Sequence, residues 1–126
     1  MIQQQSILKV ADNSGAKLVK CIKVAKGFKR KVATIGDLIT VSIQQLRNKS
    51  KLTSKVLKGE IYKAIIIRIK KQTLNKTGIA FNFNENSVCL LNKQGKPIAT
   101  RIIGPIPKKL KNKKVFKIIN ISGGFV

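Results

Sequence analysis

The sequence is poor in the residues that most enzymes use for acid–base chemistry and metal binding. It contains no histidine, and only 4 of its 126 residues are acidic. Without imidazole there is no histidine base, no histidine-bearing zinc site and no histidine pH switch. The acids are spread along the chain, at Asp12, Asp37, Glu60 and Glu85, so no neighbouring carboxylates suggest a catalytic pair. We therefore predict a protein that is not an enzyme and that uses no cofactor, metal or small-molecule substrate.

Cysteines and long apolar runs are also scarce. Cys21 and Cys89 are too few for a disulfide framework and lack the close spacing of metal-binding pairs, so we expect reduced thiols in the core. The longest stretches without a charged residue have nine residues, about half the length of a membrane-spanning helix. The amino-terminal residues match neither a signal peptide nor an import peptide. These features predict no membrane partner and synthesis in the compartment where the protein works.

Positive charge, in contrast, is abundant. Lysine and arginine total 27, which gives a net charge of +23 and an isoelectric point near 10.7. A globular domain with this much charge of one sign repels itself, so we expect a polyanionic partner, most commonly a nucleic acid. If about 6–10 of these side chains neutralise phosphates, affinity falls by roughly 10³–10⁵ between about 50 and 200 mM salt. Because only 4 residues are arginine, recognition of phosphates and shape is favoured over bidentate recognition of guanine.

The hydrophobic residues, 43% of the chain, follow mainly a strand-like pattern. Residues 37–46 alternate apolar and polar side chains, as in a half-buried strand, and residues 64–67 are typical of a strand buried on both faces. Further strands are predicted over 6–11, 17–25, 60–71 and 87–92. A hairpin with arms over 68–74 and 79–83 is predicted to turn at 75–78 and to extend past the main body. One or two short helices are predicted over 108–119. The pattern indicates a mostly β fold, a small barrel capped by the helical segment.

The basic residues fall into groups in loops and on polar faces, separated from the acids. The predicted turn from Asp12 to Gly15 can bring backbone N–H groups near a phosphate, with Lys17 beside it. The predicted RNA contacts are Asn13, Ser14, Lys17, Lys23, Lys29, Arg30, Lys31, Arg68, Lys70, Lys71, Arg101, Lys108, Lys109 and Lys111.

Two other functions are compatible with a basic barrel. A free OB-like module for single-stranded nucleic acid would stack bases on aromatic side chains, and Phe81 and Phe83 alternate on a hairpin arm. So short an aromatic set more commonly packs within the protein. An RNA-modifying enzyme built on the barrel would need a catalytic base, for which the sequence offers no candidate.

Seven ordered blocks of the sequence resemble the universal large-subunit ribosomal protein L-fourteen family, organellar and bacterial type. The blocks are MIQ at 1–3, VADNSGA at 10–16, CIKV at 21–24, GD at 36–37, KAIIIR at 63–68, LLN at 90–92 and TRIIGP at 100–105. The chain departs mildly from the family signature at Thr77 and Cys89. It departs more at residues 45–57, which form a longer segment, and at the tail over 122–126, which replaces an acidic ending.

The resemblance implies a five-stranded, OB-like β-barrel with a protruding β-ribbon and a short carboxy-terminal helical region. The whole chain, 1–126, would be one ribosomal-protein domain, with the barrel over about 1–104 and the helical segment over about 105–121. Its ligand would be large-subunit rRNA and its neighbours ribosomal proteins L-three and L-nineteen. The family also contributes to bridges with small-subunit rRNA and, in bacteria and organelles, offers a surface to a ribosome-silencing factor.

Individual residues take expected roles from the resemblance. Arg101 lies in a family motif and is the strongest single candidate for an RNA contact. The last lysines of the chain, Lys113, Lys114 and Lys117, are the candidates for the subunit interface.

Amino-acid usage suggests where the protein is made. Lys (23), Ile (19) and Asn (9) are frequent, and all three have AT-rich codons. Together with the missing import peptide and the low acid content, this bias favours an organelle-encoded protein of the mitochondrial ribosome. A plastid or bacterial cytoplasmic origin is the alternative.

Overall fold

Five strands of the computed structural model close into a barrel. The structure describes residues 1–25, 27–47, 54–113 and 115–126, with the backbone alone at 112, 113 and 116. The barrel strands are Ile7–Val10 (β1), Ala16–Val24 (β2), Leu38–Leu46 (β3), Ile61–Arg68 (β4) and Ser87–Leu91 (β7), in the order β1-β2-β3-β4-β7. The predicted mostly β fold with a closed five-stranded barrel is therefore confirmed.

The barrel closes through a parallel pair, whereas its other neighbouring strands are antiparallel. β1 and β7 are parallel, with Lys9 opposite Ser87 and Val10 opposite Val88. β2 and β3, the longest strands, pair from Ala16↔Leu46 to Val24↔Ile39 with register shifts along the way. Such irregularities increase twist and bend the strands, as closure of a small barrel requires.

The core follows from the periodicity of each strand. In β3, Ile39, Val41 and Ile43 are buried while the residues between them are more exposed, which confirms the predicted half-buried strand. All of Ala64–Ile67 and all of β7 are buried. The same core cluster continues into the carboxy-terminal segment through Ile102, Ile106, Leu110 and Ile118. Burial of each such side chain contributes about 1.5–3 kcal/mol, so this segment is part of the folded unit.

The carboxy-terminal segment contains a 3₁₀ helix, Lys108–Lys113, and a short α-helix, Phe116–Asn120 (α1). Its last residues pair with the preceding chain through the isolated bridges Ile102↔Ser122 and Ile106↔Phe125. The prediction of one or two short helices in this region is confirmed. No helix among the residues described is long and apolar enough to span a membrane.

Outside the barrel, Thr73–Leu74 (β5) and Ala80–Phe81 (β6) form a two-stranded ribbon. Its turn includes Gly78 at a φ of 81°, a backbone conformation that favours glycine. The predicted hairpin is present at the predicted turn, but its paired region is only two residues per strand. A two-stranded ribbon this short depends on neighbouring parts of the protein for its stability.

Candidate nucleic-acid interface

The acidic side chains make bonds within the protein. Asp12 is fully buried: one oxygen, Oδ1, accepts hydrogen bonds from the backbone N–H and the hydroxyl of Ser14, and Oδ2 accepts one from the backbone N–H of Leu90 at 2.8 Å. Asp37 is also buried and accepts from the backbone N–H and hydroxyl of Thr34 at 2.9 and 3.0 Å. Both carboxylates therefore stabilise turns next to barrel strands.

The two glutamates are likewise engaged. Glu60 accepts hydrogen bonds from the Tyr62 hydroxyl at 2.5 Å and the Leu57 N–H at 3.1 Å. The hydrogen bond from Tyr62, and to a smaller extent the one from Leu57, lowers the pKa of Glu60. Burial and the neighbouring Glu60 raise the pKa of Tyr62 to about 12. Glu85 forms an ion pair with Lys9. Because each acid is held by a neighbour, most of the basic side chains that the structure describes face solvent without a carboxylate beside them.

Asn13 connects the first turn to the segment that carries Arg101. Its Oδ1 accepts hydrogen bonds from the backbone N–H groups of Thr100 at 3.0 Å and Arg101 at 3.3 Å, and its Nδ2 donates to the Thr100 hydroxyl at 2.8 Å. The Arg101 side chain is exposed. Asn13 is therefore a residue that positions Arg101, and its own amide is already occupied by protein partners.

Ser14 and Arg68, both predicted RNA contacts, bond within the protein instead. Ser14 is fully buried and its N–H and hydroxyl both go to Asp12, so this part of the turn does not offer an N–H group to a phosphate. The Arg68 guanidinium donates from Nε to the carbonyl of Pro105 at 2.8 Å and from Nη2 to the carbonyl of Ile103. Burial lowers the pKa of Arg68. Both side chains therefore bond within the protein, and Arg68 braces the backbone at 103 and 105.

The structure brings together lysines that are distant in sequence in a groove between the ribbon and the carboxy-terminal segment. This ribbon groove, of about 800 Å³, has Leu74, Ile79, Phe81 and Val126 among its apolar walls and is bordered by Lys76, Lys108, Lys109 and Lys111. A smaller adjoining depression is lined by Lys71 and Lys109. Lys111 also places its Nζ 4.2 Å from the centroid of the Phe125 ring. Lys76, which borders the same groove, was not among the predicted contacts.

The remaining predicted basic contacts lie elsewhere on the surface. Lys23 is exposed on β2, and Lys29, Arg30 and Lys31 are exposed in the loop that follows it. Lys17 lines a different groove with Arg47 and Lys58, two residues absent from the predicted set. Arg47 donates from Nη2 to the carbonyl of Val10 at 2.8 Å, so it, like Arg68, braces the backbone.

The four remaining predicted positions are Lys70, Lys113, Lys114 and Lys117. Lys70 is exposed, and its backbone N–H donates to Oδ1 of Asn86 at 2.8 Å. Lys117 is exposed on α1, and Lys113 lies in the 3₁₀ helix. Lys114 lies outside the described residues, as do residues 48–53 of the longer segment.

The aromatic pair suggested for base stacking is occupied internally. The rings of Phe81 and Phe83 meet edge to face, with centroids 5.7 Å apart and an interplanar angle of 81°. Both are half-buried. An edge-to-face pair is a favourable packing arrangement, which supports the packing interpretation over a stacking platform.

The cysteines occupy core positions. Cys21 and Cys89 are free and buried, as predicted, and burial raises the pKa of both thiols. In the part of the chain that the structure describes, no group of three or more cysteine and acidic residues could hold a metal ion. The arrangement as a whole presents exposed basic side chains on a closed barrel, which suits electrostatic binding to a polyanion.

Comparison with protein families accounts for this combination of closed barrel and basic surface. The family model described as Ribosomal protein L14p/L23e matches residues 1–126, the whole chain. The chain belongs to the ribosomal protein L14p/L23e family.

Proposed function

We propose that this ribosomal protein is a structural constituent of the large ribosomal subunit and binds large-subunit rRNA through phosphate contacts. The observation that carries the proposal is the convergence of Lys76 with Lys108, Lys109 and Lys111 around the ribbon groove, with Lys71 in the adjoining depression. Two separate chain segments supply these cations. Phosphates along an RNA backbone match such an array because each lysine is a flexible point charge.

Arg101 and the loop after β2 extend the proposed contacts beyond the groove. Arg101 is exposed on a segment fixed by Asn13. Lys17, Lys23, Lys29, Arg30, Lys31 and Lys70 are exposed as well. These seven side chains alone fall within the range of about 6–10 phosphate contacts that would make binding strongly dependent on salt.

The finer assignments follow from family membership. Lys117, exposed on α1, and its neighbours Lys113 and Lys114 are the proposed contacts to small-subunit rRNA in a bridge between the subunits. Ribosomal proteins L-three and L-nineteen are the proposed neighbours, and a ribosome-silencing factor a further partner. The bias towards Lys, Ile and Asn supports a mitochondrial ribosome as the location.

A free OB-like module is less well supported. That function would use exposed aromatic rings of the ribbon to stack single-stranded bases, but Phe81 and Phe83 are half-buried and pack on each other.

The test compares two charge-matched double variants in binding to a large-subunit rRNA transcript. Lys76→Gln with Lys109→Gln removes two cations from the ribbon groove, whereas Lys63→Gln with Lys93→Gln removes two from a depression bordered by Thr40 and Tyr62. We expect the groove variant to weaken binding and to reduce the slope of log affinity against log salt by about 1 per lysine. The control should retain the original slope.

Equal losses in both variants would show that net charge alone matters and that the ribbon groove is not the interface. A separate measurement tests the function itself: the chain should sediment with the large subunit from extracts in moderate salt. A chain found only in the free protein fraction would contradict the proposed function.

A further inference from the structure

Phe28 lies almost fully in solvent in the loop between β2 and β3. Its side chain is 92% exposed, the largest value among the exposed large hydrophobic residues described. The backbone on both sides has positive φ, 75° at Gly27 and 59° at Lys29. A lysine rarely adopts this conformation, since its Cβ crowds the backbone there. The loop therefore holds an unfavourable geometry that directs an apolar ring away from the protein.

The surroundings of this ring are strongly cationic. The Nζ of Lys29 lies 5.6 Å from the centroid of the Phe28 ring, and Arg30 and Lys31 follow as exposed residues. No acidic residue occurs between Asp12 and Asp37. An apolar protein surface would satisfy the ring but not the three cations beside it. A nucleic acid satisfies both, because it offers flat aromatic bases and phosphates within a few ångströms of each other.

We propose that Phe28 stacks on an unpaired base of the bound RNA while Lys29, Arg30 and Lys31 contact the phosphates next to it. The inference rests on the proposed function, that the chain binds rRNA, and adds one base-stacking site to a surface that otherwise contacts phosphates. Stacking tolerates any base but requires that the base be free of a continuous helix. The loop thus selects a bulge, a loop or a junction in the RNA.

The lack of tryptophan in the chain provides a direct probe. Phe28→Trp creates a protein with one tryptophan, whose fluorescence is quenched when its indole stacks on a base. The matched control is Ile61→Trp, which places the indole at an exposed position on β4. With a large-subunit rRNA transcript, we expect strong quenching at position 28 and little at position 61. Equal quenching at both positions, or none at 28, would overturn the stacking site.

Affinity measurements separate the ring from the charges around it. Phe28→Leu keeps an apolar side chain but removes the aromatic face, and we expect affinity to fall by roughly 5- to 150-fold with an unchanged salt slope. Phe28→Tyr should restore binding. If the Phe28→Leu protein binds rRNA as tightly as the unaltered protein, and Phe28→Tyr binds no more tightly than Phe28→Leu, the contact is a general apolar one, as with a protein partner. The proposal then fails.

Failure of this inference can be distinguished from failure of the proposed function. If the unaltered protein binds rRNA in a salt-dependent way but the tryptophan fluorescence of Phe28→Trp is not quenched, only the proposed stacking site is contradicted. If the protein shows no salt-dependent binding to structured rRNA, both the stacking site and the proposed function are contradicted. Because Phe28 is almost completely exposed, these substitutions leave the core intact, and circular dichroism of each variant verifies that it is folded.

Discussion

The guanidinium of Arg68 lies against the backbone of Gly104. A Cβ placed on residue 104 would be 2.7 Å from Nη2 of Arg68. The same guanidinium bonds to the carbonyls of Ile103 and Pro105, on either side of this glycine. Arg68 ends β4, so the contact fixes the carboxy-terminal segment to the barrel. The absence of a side chain at residue 104 is what allows the close approach.

The first prediction concerns Gly104→Ala. The new methyl group would displace the guanidinium, and the backbone φ of 87° would be strained as well. We expect the strained backbone to lower the free energy of unfolding by about 1–3 kcal/mol, and the loss of the Arg68 hydrogen bonds to lower it further. Urea denaturation of both proteins measures the difference in the free energy of unfolding.

Gly95→Ala is the matched control for this substitution. Gly95 also has a positive φ, 77°, but a Cβ there would meet nothing within 4 Å. It therefore reports the backbone cost alone. If Gly95→Ala and Gly104→Ala lose equal stability, the contact between Arg68 and Gly104 contributes nothing. In an Arg68→Met background, the extra loss from Gly104→Ala should disappear.

The second prediction addresses the buried carboxylate of Asp12. Asp12→Asn replaces one accepting oxygen with an NH₂ group that faces donors from Ser14 or Leu90. We expect a loss of about 1.5–3 kcal/mol, because hydrogen bonds to a charged group are broken in a buried site. Ser14→Ala removes only one of the three hydrogen bonds to this carboxylate, so it should cost less than Asp12→Asn, about 1.5 kcal/mol, the low end of the range for a bond to a charged group. Urea denaturation orders the two variants, and a larger loss for Ser14→Ala would contradict this account.

Much of the barrel could be predicted from sequence because its signal is local. In β3 the alternation of apolar and polar residues is complete within one strand, and the run Ala64–Ile67 alone indicates burial on both faces. The near-helical spacing of apolar residues over 108–119 likewise predicts the helical segment from that stretch alone. For the ribbon, the sequence predicts longer arms than the two residue pairs that form, since apolar residues near a turn do not reveal how many backbone pairs form.

The roles of single polar residues depend on long-range contacts and were harder to predict. Arg68 looks like any other cation in the sequence, yet its partners are carbonyls at 103 and 105, which only the fold brings near. Ser14 lies in a polar turn, and its burial depends on Asp12 reaching Leu90 in β7. Phe28, the proposed stacking residue, does have a sequence signal, because it is an aromatic residue alone in a polar loop.

The third prediction concerns stability at alkaline pH. The pKa of Tyr62 is raised from its ordinary value near 10 to about 12 in the folded protein. Between these values the folded state holds a proton that the unfolded state has lost, so stability falls as pH rises from 10 to 12. Tyr62→Phe removes this contribution. The free energy of unfolding, measured by urea at several pH values, should fall less steeply in the variant, and parallel curves would contradict the assignment.

The fourth prediction separates RNA contact from packing with two single substitutions. Arg101→Gln removes an exposed charge on a segment that Asn13 holds in place. It should lower the affinity for large-subunit rRNA and reduce the slope of log affinity against log salt by about 1. The stability of the protein should be unchanged. Phe83→Ala removes a ring that packs on Phe81, so it should lower stability and leave the affinity of the folded protein unchanged. Filter binding across a salt series and urea denaturation measure the two quantities independently. The opposite pattern, with affinity lost in a folded Phe83→Ala protein and retained in Arg101→Gln, would move the RNA interface from the basic residues to the aromatic ribbon.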